Sequence, residues 1–227
     1  MSDSSKHFAI TGISSGLGLA LTRELLGLGH RVSGCARRGD PLAGEASNER
    51  YRFRQADILD AEAMSAWADE CIALAPVDFL VHNAAVIHRK APLAEIGREE
   101  LEATIRVNVN GAFDVARAFV PRMTAAGRGV IVLMSSGAGR RGILGMCGYC
   151  ASKWAIEGLA KSLAEELPDP LAAIPLAPGV INTPMLQTIW EDAGEQQTPE
   201  QWASRAAPFL LGLSRKQNGE SLRIPAP

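Results

Sequence analysis

Short apolar runs alternate with amphipathic stretches along this chain, and that alternation limits the folds open to it. "HFAITG", "RVSGCA", "YRFRQAD", "VDFLVHNAA", "GVIVLMSS" and "AAIPLAPG" read as six strands in order. Between them "LGLALTRELLGLG" has helical spacing, with Gly29 as a C-cap, and "DAEAMSAWADECIALA" has Asp60 as an N-cap. Residues from about Glu99 to Ala125 read as one long helix, and Gly148 to Leu167 as another that stops near Pro168. Strands separated by whole helices cannot be hairpins. They pair in parallel, and near-continuous apolar strands mean that both sheet faces are covered. The expected fold class is therefore α/β: a doubly wound parallel sheet with helices on both faces. Pro175 argues for an edge or a bulge in the sixth strand. Residues 183–197 are irregular and read as a lid, 198–213 as helical, and "ESLRIP" as a short last strand. At 227 residues, one domain spanning 1–227 is expected.

Composition narrows the partners. The formal net charge of −2 gives no electrostatic footprint for nucleic acid. No stretch approaches the ~20 apolar residues of a membrane span, and "MSDSSKHFAITG" has no signal-peptide core. Four cysteines do not make a disulfide framework at this size. A cytoplasmic protein without a metal site is expected.

Two stretches carry the chemistry. "TGISSGLG" lies in the first strand-to-helix turn. Gly12, Gly16 and Gly18 would let the backbone approach a pyrophosphate at a helix N-terminus, with Ser14 and Ser15 adding hydroxyl donors beside Leu17. "CGYCASKWAIEG" holds two overlapping patterns, a Cys147/Cys150 C-x-x-C and a Tyr149/Lys153 Y-x-x-x-K. Residues i and i+4 share a helix face, so Tyr149 and Lys153 point together. A nearby ammonium is expected to move the phenol from ~10 toward working pH, making Tyr149 a proton donor.

The G-x-x-x-G-x-G spacing, with Y-x-x-x-K and the motifs between, resembles the short-chain dehydrogenase/reductase family in its single-domain, Rossmann-fold branch. The resemblance implies an oxidoreductase that reduces a carbonyl by hydride transfer. It implies catalytic roles for Ser136, thirteen residues before Tyr149, and for Asn108, which would hold a water linking Lys153 to solvent. Lys153 would also bond the nicotinamide ribose, and Ser136 would polarise the carbonyl. Asp57 and Ile58 match the family's adenine-contacting position. "HNAA" stands where the family has N-N-A-G: Asn83 and Ala84 fit, while His82 and Ala85 depart, and His82 reads as a packed strand residue. Pro178, Gly179, Ile181 and Thr183, in "PGVINT", match the loop beneath the nicotinamide. Asn110 and Ser135 are near misses.

Arg37 and Arg38 end the second strand where an NAD-specific site carries an acid, so NADP(H) is favoured over NAD(H); Asp40, slightly later, opposes this. Met185 and Trp190 in the lid, with Leu144 and Met146 before Tyr149, are candidate substrate walls for a flat or apolar carbonyl compound. "SSGAGR", "YCASKWAIEGL", "APGVINT" and "NGESL" also resemble a plant branch of the family that reduces pterin aldehydes with NADPH, which implies pterin or aromatic aldehydes. Alternatives are a non-catalytic NADPH-binding regulator and a C-x-x-C thiol oxidoreductase. The apolar faces of the two long helices, which family members pair across a two-fold axis, imply a homodimer.

Overall fold

The computed structural model describes residues 5–44 and 48–226. These build a seven-stranded sheet from β1 (His7–Thr11), β2 (Arg31–Ala36), β3 (Tyr51–Gln55), β4 (Phe79–His82), β5 (Val130–Met134), β6 (Ala172–Ala177) and β7 (Leu222–Arg223). The strand order is β3-β2-β1-β4-β5-β6-β7, every pairing parallel. The main helices are α1 (Gly16–Gly27), α2 (Ala61–Leu74), α3 (Arg98–Ile105), α4 (Gly111–Ala125), α5 (Cys147–Glu166), α6 (Pro184–Gln187) and α7 (Pro199–Leu211). The order reverses between β1 and β4. Helices leave that point toward opposite faces and open a crevice at the carboxyl ends of the two strands.

Alternation along the strands feeds two cores. Phe8, Ile10, Val32, Val81, Val132 and Ile174 face α1 and α7, where Leu21, Leu25, Trp202 and Leu210 meet them. Ala9, Leu80, Ile131 and Leu133 face the other way, against Met64 and Trp67 of α2, Phe119 of α4 and Ile156 of α5. Burial on both sides is why these strands are apolar throughout. Phe8 stacks on Phe79 at 4.6 Å, and Trp67 meets Phe119 edge-on at 4.9 Å.

Local signals act where the sequence puts them. Asp60 Oδ1 accepts from the Ala63 N–H at 2.9 Å and caps α2. Gly29, at φ +83°, ends α1. The His30 N–H returns to the Leu25 carbonyl and the Gly29 N–H to that of Leu26, a Schellman pair.

Two expectations change. The long helix is α3 and α4 joined by a π-turn over Arg106–Asn110, where the Gly111 N–H reaches the Arg106 carbonyl. A Cβ on Gly111 would lie 2.5 Å from Ile58 Cδ1, so the widened turn presses against the loop after β3. Pro175 marks neither an edge strand nor a bulge: it pairs in register with Leu133, and β6 lies between β5 and β7. The Ala172 N–H bonds toward β5, at the Gly129 carbonyl, and that of Ala173 toward the other side, at Asn218 Oδ1. By alternation, the missing N–H of Pro175 faces the β7 side. There pairing begins only at Leu176 with Leu222, so no ladder bond is lost.

Candidate active site

A cleft of about 650 Å³ opens at the carboxyl ends of the strands. Its floor is the turn from β1 to α1. Gly12 and Gly16 sit at φ +74° and +57°, in the left-handed region. A Cβ on Gly12 would lie 2.8 Å from Ala84 Cα, and one on Gly18 would lie 2.4 Å from the Gly12 carbonyl oxygen. Gly12, Ser14, Ser15, Gly16 and Leu17 line the cleft, while Gly18 packs behind them. Ser15 makes no side-chain cap, which leaves the first-turn N–H groups of α1 for a ligand.

The turn is fastened to β4. Thr11 Oγ1 accepts the N–H groups of Asn83 and Ala84, each at 3.0 Å. Asn83 Nδ2 donates to the carbonyls of Thr11 and Gly12. With two N–H groups on its oxygen, Thr11 has its own proton to give, and His82 Nδ1 takes it at 3.2 Å. Burial, with the Lys153 charge second, pushes His82 down to about 3, so the ring stays neutral and serves the strand. Asn83, Ala84 and Ala85 line the cleft. Among the described residues no non-glycine has positive φ, so Ala85 does not need the glycine usual there.

At one end of the cleft stand Arg37, Arg38, Asp57 and Ile58. Arg38 Nη2 donates to Ser14 Oγ at 3.2 Å and to Ser15 Oγ at 3.1 Å, which holds the guanidinium beside the glycine turn. Asp57 Oδ1 accepts from the Leu59 N–H at 3.0 Å. Asp40 is turned away: it accepts from Tyr51 Oη at 2.6 Å and from the Leu42 N–H at 2.9 Å, and it is absent from the cleft wall.

At the other end, Tyr149 and Lys153 project into the cleft from successive turns of α5. Lys153 is 4% exposed; its Nζ donates to the Met134 carbonyl at 2.8 Å and lies 5.7 Å from the Tyr149 ring centroid. Ser136, two residues past β5, accepts at Oγ from the Ala138 N–H at 3.2 Å and does not line the cleft, where its neighbour Ser135 does; its hydroxyl exerts a lowering pull on the Tyr149 phenol. The expected lowering of the tyrosine does not occur. Burial pushes Tyr149 up to about 12 against the opposing pull of Ser136, and pushes Lys153 down to about 8. With the ammonium held at the strand carbonyl, desolvation outweighs its attraction for a phenolate.

Asn108 is buried in the π-turn. Its Oδ1 accepts from the Val86 N–H at 2.8 Å, and its Nδ2 donates to the Val86 carbonyl and to Ser152 Oγ. The side chain thus ties the loop after β4 to α5 rather than reaching the cleft. Asn110 is exposed. After β6, Pro178 and Thr183 line the cleft. Trp202 Nε1 donates to the Pro178 carbonyl, and Thr183 Oγ1 caps α6 through the Leu186 N–H. Gly179, at φ +101°, and the buried Ile181 shape this loop from behind.

Of the four candidate substrate residues, Met185 lines the cleft, next to Pro184. The other three do not line it. Leu144 is 88% exposed at a loop tip. Met146 is buried behind Tyr149 with Ala138, Cys150 and Ile189. Trp190 is 41% exposed and off the wall, while Met185 of α6 lines it and Ile189 packs against the cluster of Ala138, Met146 and Cys150. Lining residues missed by the sequence reading include Ala36, Ala56, Val86, Val107, Met134 and Ser135. Ala36, Ala56 and Met134 end or follow β2, β3 and β5, so their place at the carboxyl ends of parallel strands was an available signal.

All four cysteines are free. Cys35 and Cys71 are buried, and burial pushes their thiols up, that of Cys71 to about 12. Cys150 packs under Tyr149. Among the described residues no helix is long and apolar enough to cross a membrane, and no group of metal-ligating side chains gathers.

Comparison with known proteins agrees with this geometry. The short chain dehydrogenase family profile matches residues 6–194. An NADPH-dependent pterin aldehyde reductase from Arabidopsis thaliana is 38% identical over 95% of this chain and 91% of its own. Nodulation protein G from Azospirillum brasilense is 32% identical over 83% and 80%. The structure of ElxO with NADP bound superposes with a TM-score of 0.85 at 25% identity, covering 97% of each chain. With the glycine turn and the Tyr149/Lys153 pair on one cleft, this chain belongs to the short-chain dehydrogenase family.

Proposed function

We propose that the protein is an NADPH-dependent reductase of aldehydes or ketones, with pterin and other aromatic aldehydes as the substrate class. The observation that carries this is a single cleft with Tyr149 and Lys153 at one end and Arg37 and Arg38 at the other, joined by the glycine turn. The Arabidopsis relative supplies the substrate class.

The residues present fit a dinucleotide. The missing Cβ atoms of Gly12 and Gly18 leave a cradle that side chains would fill. Ser14, Ser15 and the first turn of α1 would hold the pyrophosphate, Arg37 and Arg38 a 2′-phosphate, and Asp57 with Ile58 the adenine. Asn83, Ala84, Lys153, Pro178, Gly179, Ile181 and Thr183 would hold the nicotinamide half. When bound, NADPH supplies a hydride to the carbonyl carbon.

The chain's own residues manage the proton. A phenol held near 12 stays protonated at neutral pH, so Tyr149 has a proton to give to the carbonyl oxygen. Ser136, whose hydroxyl opposes the rise of that phenol, polarises the same oxygen. Lys153, charged below about 8, stabilises the negative charge that develops there. Asn108 acts by fixing Val86 and Ser152 around this group. Residues 183–197 form the lid, with Met185 against the substrate, on a single domain. The protein is read as cytoplasmic, and the C-x-x-C as packing beside the site, with Cys150 buried and Cys147 half-buried.

Phe113 on α4 and Trp154 on α5 are 51% and 54% exposed, and Phe113 lines a groove with Val109, Asn110, Asp114 and Leu159. This face fits a second copy of the chain across a two-fold axis.

Four measurements test these readings. Tyr149→Phe should lower the oxidation of NADPH by a pterin aldehyde at least ~10²-fold, while Cys147→Ser with Cys150→Ser retains most of it; the reverse pattern would favour thiol chemistry. For the parent enzyme, kcat/KM should fall as pH rises through about 8, because Lys153 loses its charge there. Lys153→Arg should abolish that limb in the remaining activity, and a profile flat up to the usual lysine range near ~10.4 would refute the assignment. NADPH should bind more tightly than NADH, and Arg37→Ala or Arg38→Ala should each weaken NADPH about tenfold with little change for NADH; equal parent affinities would count against the 2′-phosphate site. Light scattering at micromolar protein should give a dimer mass that Phe113→Asp with Trp154→Asp reduces to monomer, and a monomeric parent would end the dimer proposal.

A further inference from the structure

Glu157 lies one turn beyond Lys153 on α5 and is 5% exposed. A carboxylate this deep needs partners on both oxygens. Oε1 accepts from Ser135 Oγ at 2.6 Å and from Arg140 Nε at 3.1 Å. Oε2 accepts from Ser221 Oγ at 2.5 Å. Arg140 Nη2 in turn donates to the Leu222 carbonyl at 2.6 Å. One buried group therefore joins the end of β5, the turn that follows it, and the start of β7.

Ser135 is the residue before Ser136. The turn carrying both lies directly on α5: a Cβ on Gly139 would be 2.7 Å from the Lys153 carbonyl oxygen and 2.7 Å from Ser135 Oγ. Ser136 thus leaves a strand end whose neighbour is pinned from the helix that carries Tyr149 and Lys153. An apolar side chain would fill the Glu157 site with less desolvation cost. What the carboxylate adds is direction: it accepts from three donors on separate segments and fixes their relative placement.

We propose that Glu157 is a positioning residue for Ser136, and that through Glu157 and Arg140 the docking of the Ser221–Leu222 segment sets the reactivity of the site. This rests on the roles given to Ser136 and Tyr149 above. Ser136 has to meet both the phenol and a carbonyl oxygen, and displacement of a reacting group by ~1 Å can cost up to ~10²-fold in rate.

The test is a set of double-mutant cycles in the full-length enzyme. Glu157→Ala and Ser135→Ala should each lower kcat about tenfold, and Ser221→Ala a few-fold. The dissociation constant for NADPH should stay within about twofold, because its phosphates are held by other elements. Glu157→Gln should restore most of kcat, since its amide oxygen still accepts from Ser135. In a Ser136→Ala background the same substitutions should cost nothing further, because the serine they position is gone. Equal losses in both backgrounds, or weakened NADPH binding in step with kcat, would mean general loosening and overturn the proposal. An unchanged kcat in Ser135→Ala would also overturn it, and that variant carries the test if Glu157→Ala does not fold. If Ser136→Ala itself leaves kcat unchanged, the assignment of Ser136 falls first and this proposal falls with it.

Discussion

The rest of the structure depends on the contact between the ends of β1 and β4. These strands are neighbours in the sheet, yet their chains depart toward opposite faces, so nothing fills the space above them. Such a gap is tolerable only if the strand ends stay closed beneath it. Thr11 Oγ1 provides this by accepting two backbone N–H groups from Asn83 and Ala84 while donating to His82. Asn83 returns two bonds to the carbonyls of Thr11 and Gly12. The glycines then let α1 approach the turn closely enough to aim its N-terminus into the gap. The cleft is a consequence of strand order, and these hydrogen bonds hold its floor together.

The reactive end works against folding. Lys153 is buried with one hydrogen bond to a strand carbonyl. Bringing its pKa from 10.5 down to about 8 corresponds to about 3 kcal/mol disfavouring the charged form. Tyr149 is shifted the opposite way by the same burial. Desolvation therefore keeps the proton on the phenol while loosening the lysine's hold on its own. An acid and a cation placed this way are poor for stability and suited to proton donation. The two apolar cores on either side of the sheet carry the stabilisation that offsets this.

Much of the architecture is legible in the sequence because its determinants are local. Period-2 and period-3.6 patterns mark the strands and helices, and Asp60 and Gly29 mark two helix ends within one turn of the chain. The extra residue in the π-turn escapes such reading, because helical patterns flank it on both sides and the turn packs against Ile58, far away in sequence. Pro175 is misread for the same reason: its neighbourhood depends on where β7 begins to pair, far along the chain.

For the site, the sequence alone determined what a helix or a turn can fix by itself. Tyr149 and Lys153 share a face because i and i+4 must, and the glycine turn follows the first strand because it is adjacent in sequence. Arg37 and Arg38 reach the cleft because they directly follow β2. The tertiary structure decided what depends on distant partners. Tyr51 draws Asp40 away from the arginines. Ile189 packs against the cluster of Ala138, Met146 and Cys150, while Trp190 stays exposed. The strand carbonyl of Met134 captures Lys153, so burial, and not the ammonium, governs the tyrosine. Each of these outcomes is a competition between long-range contacts, and sequence spacing carries no information about which contact wins.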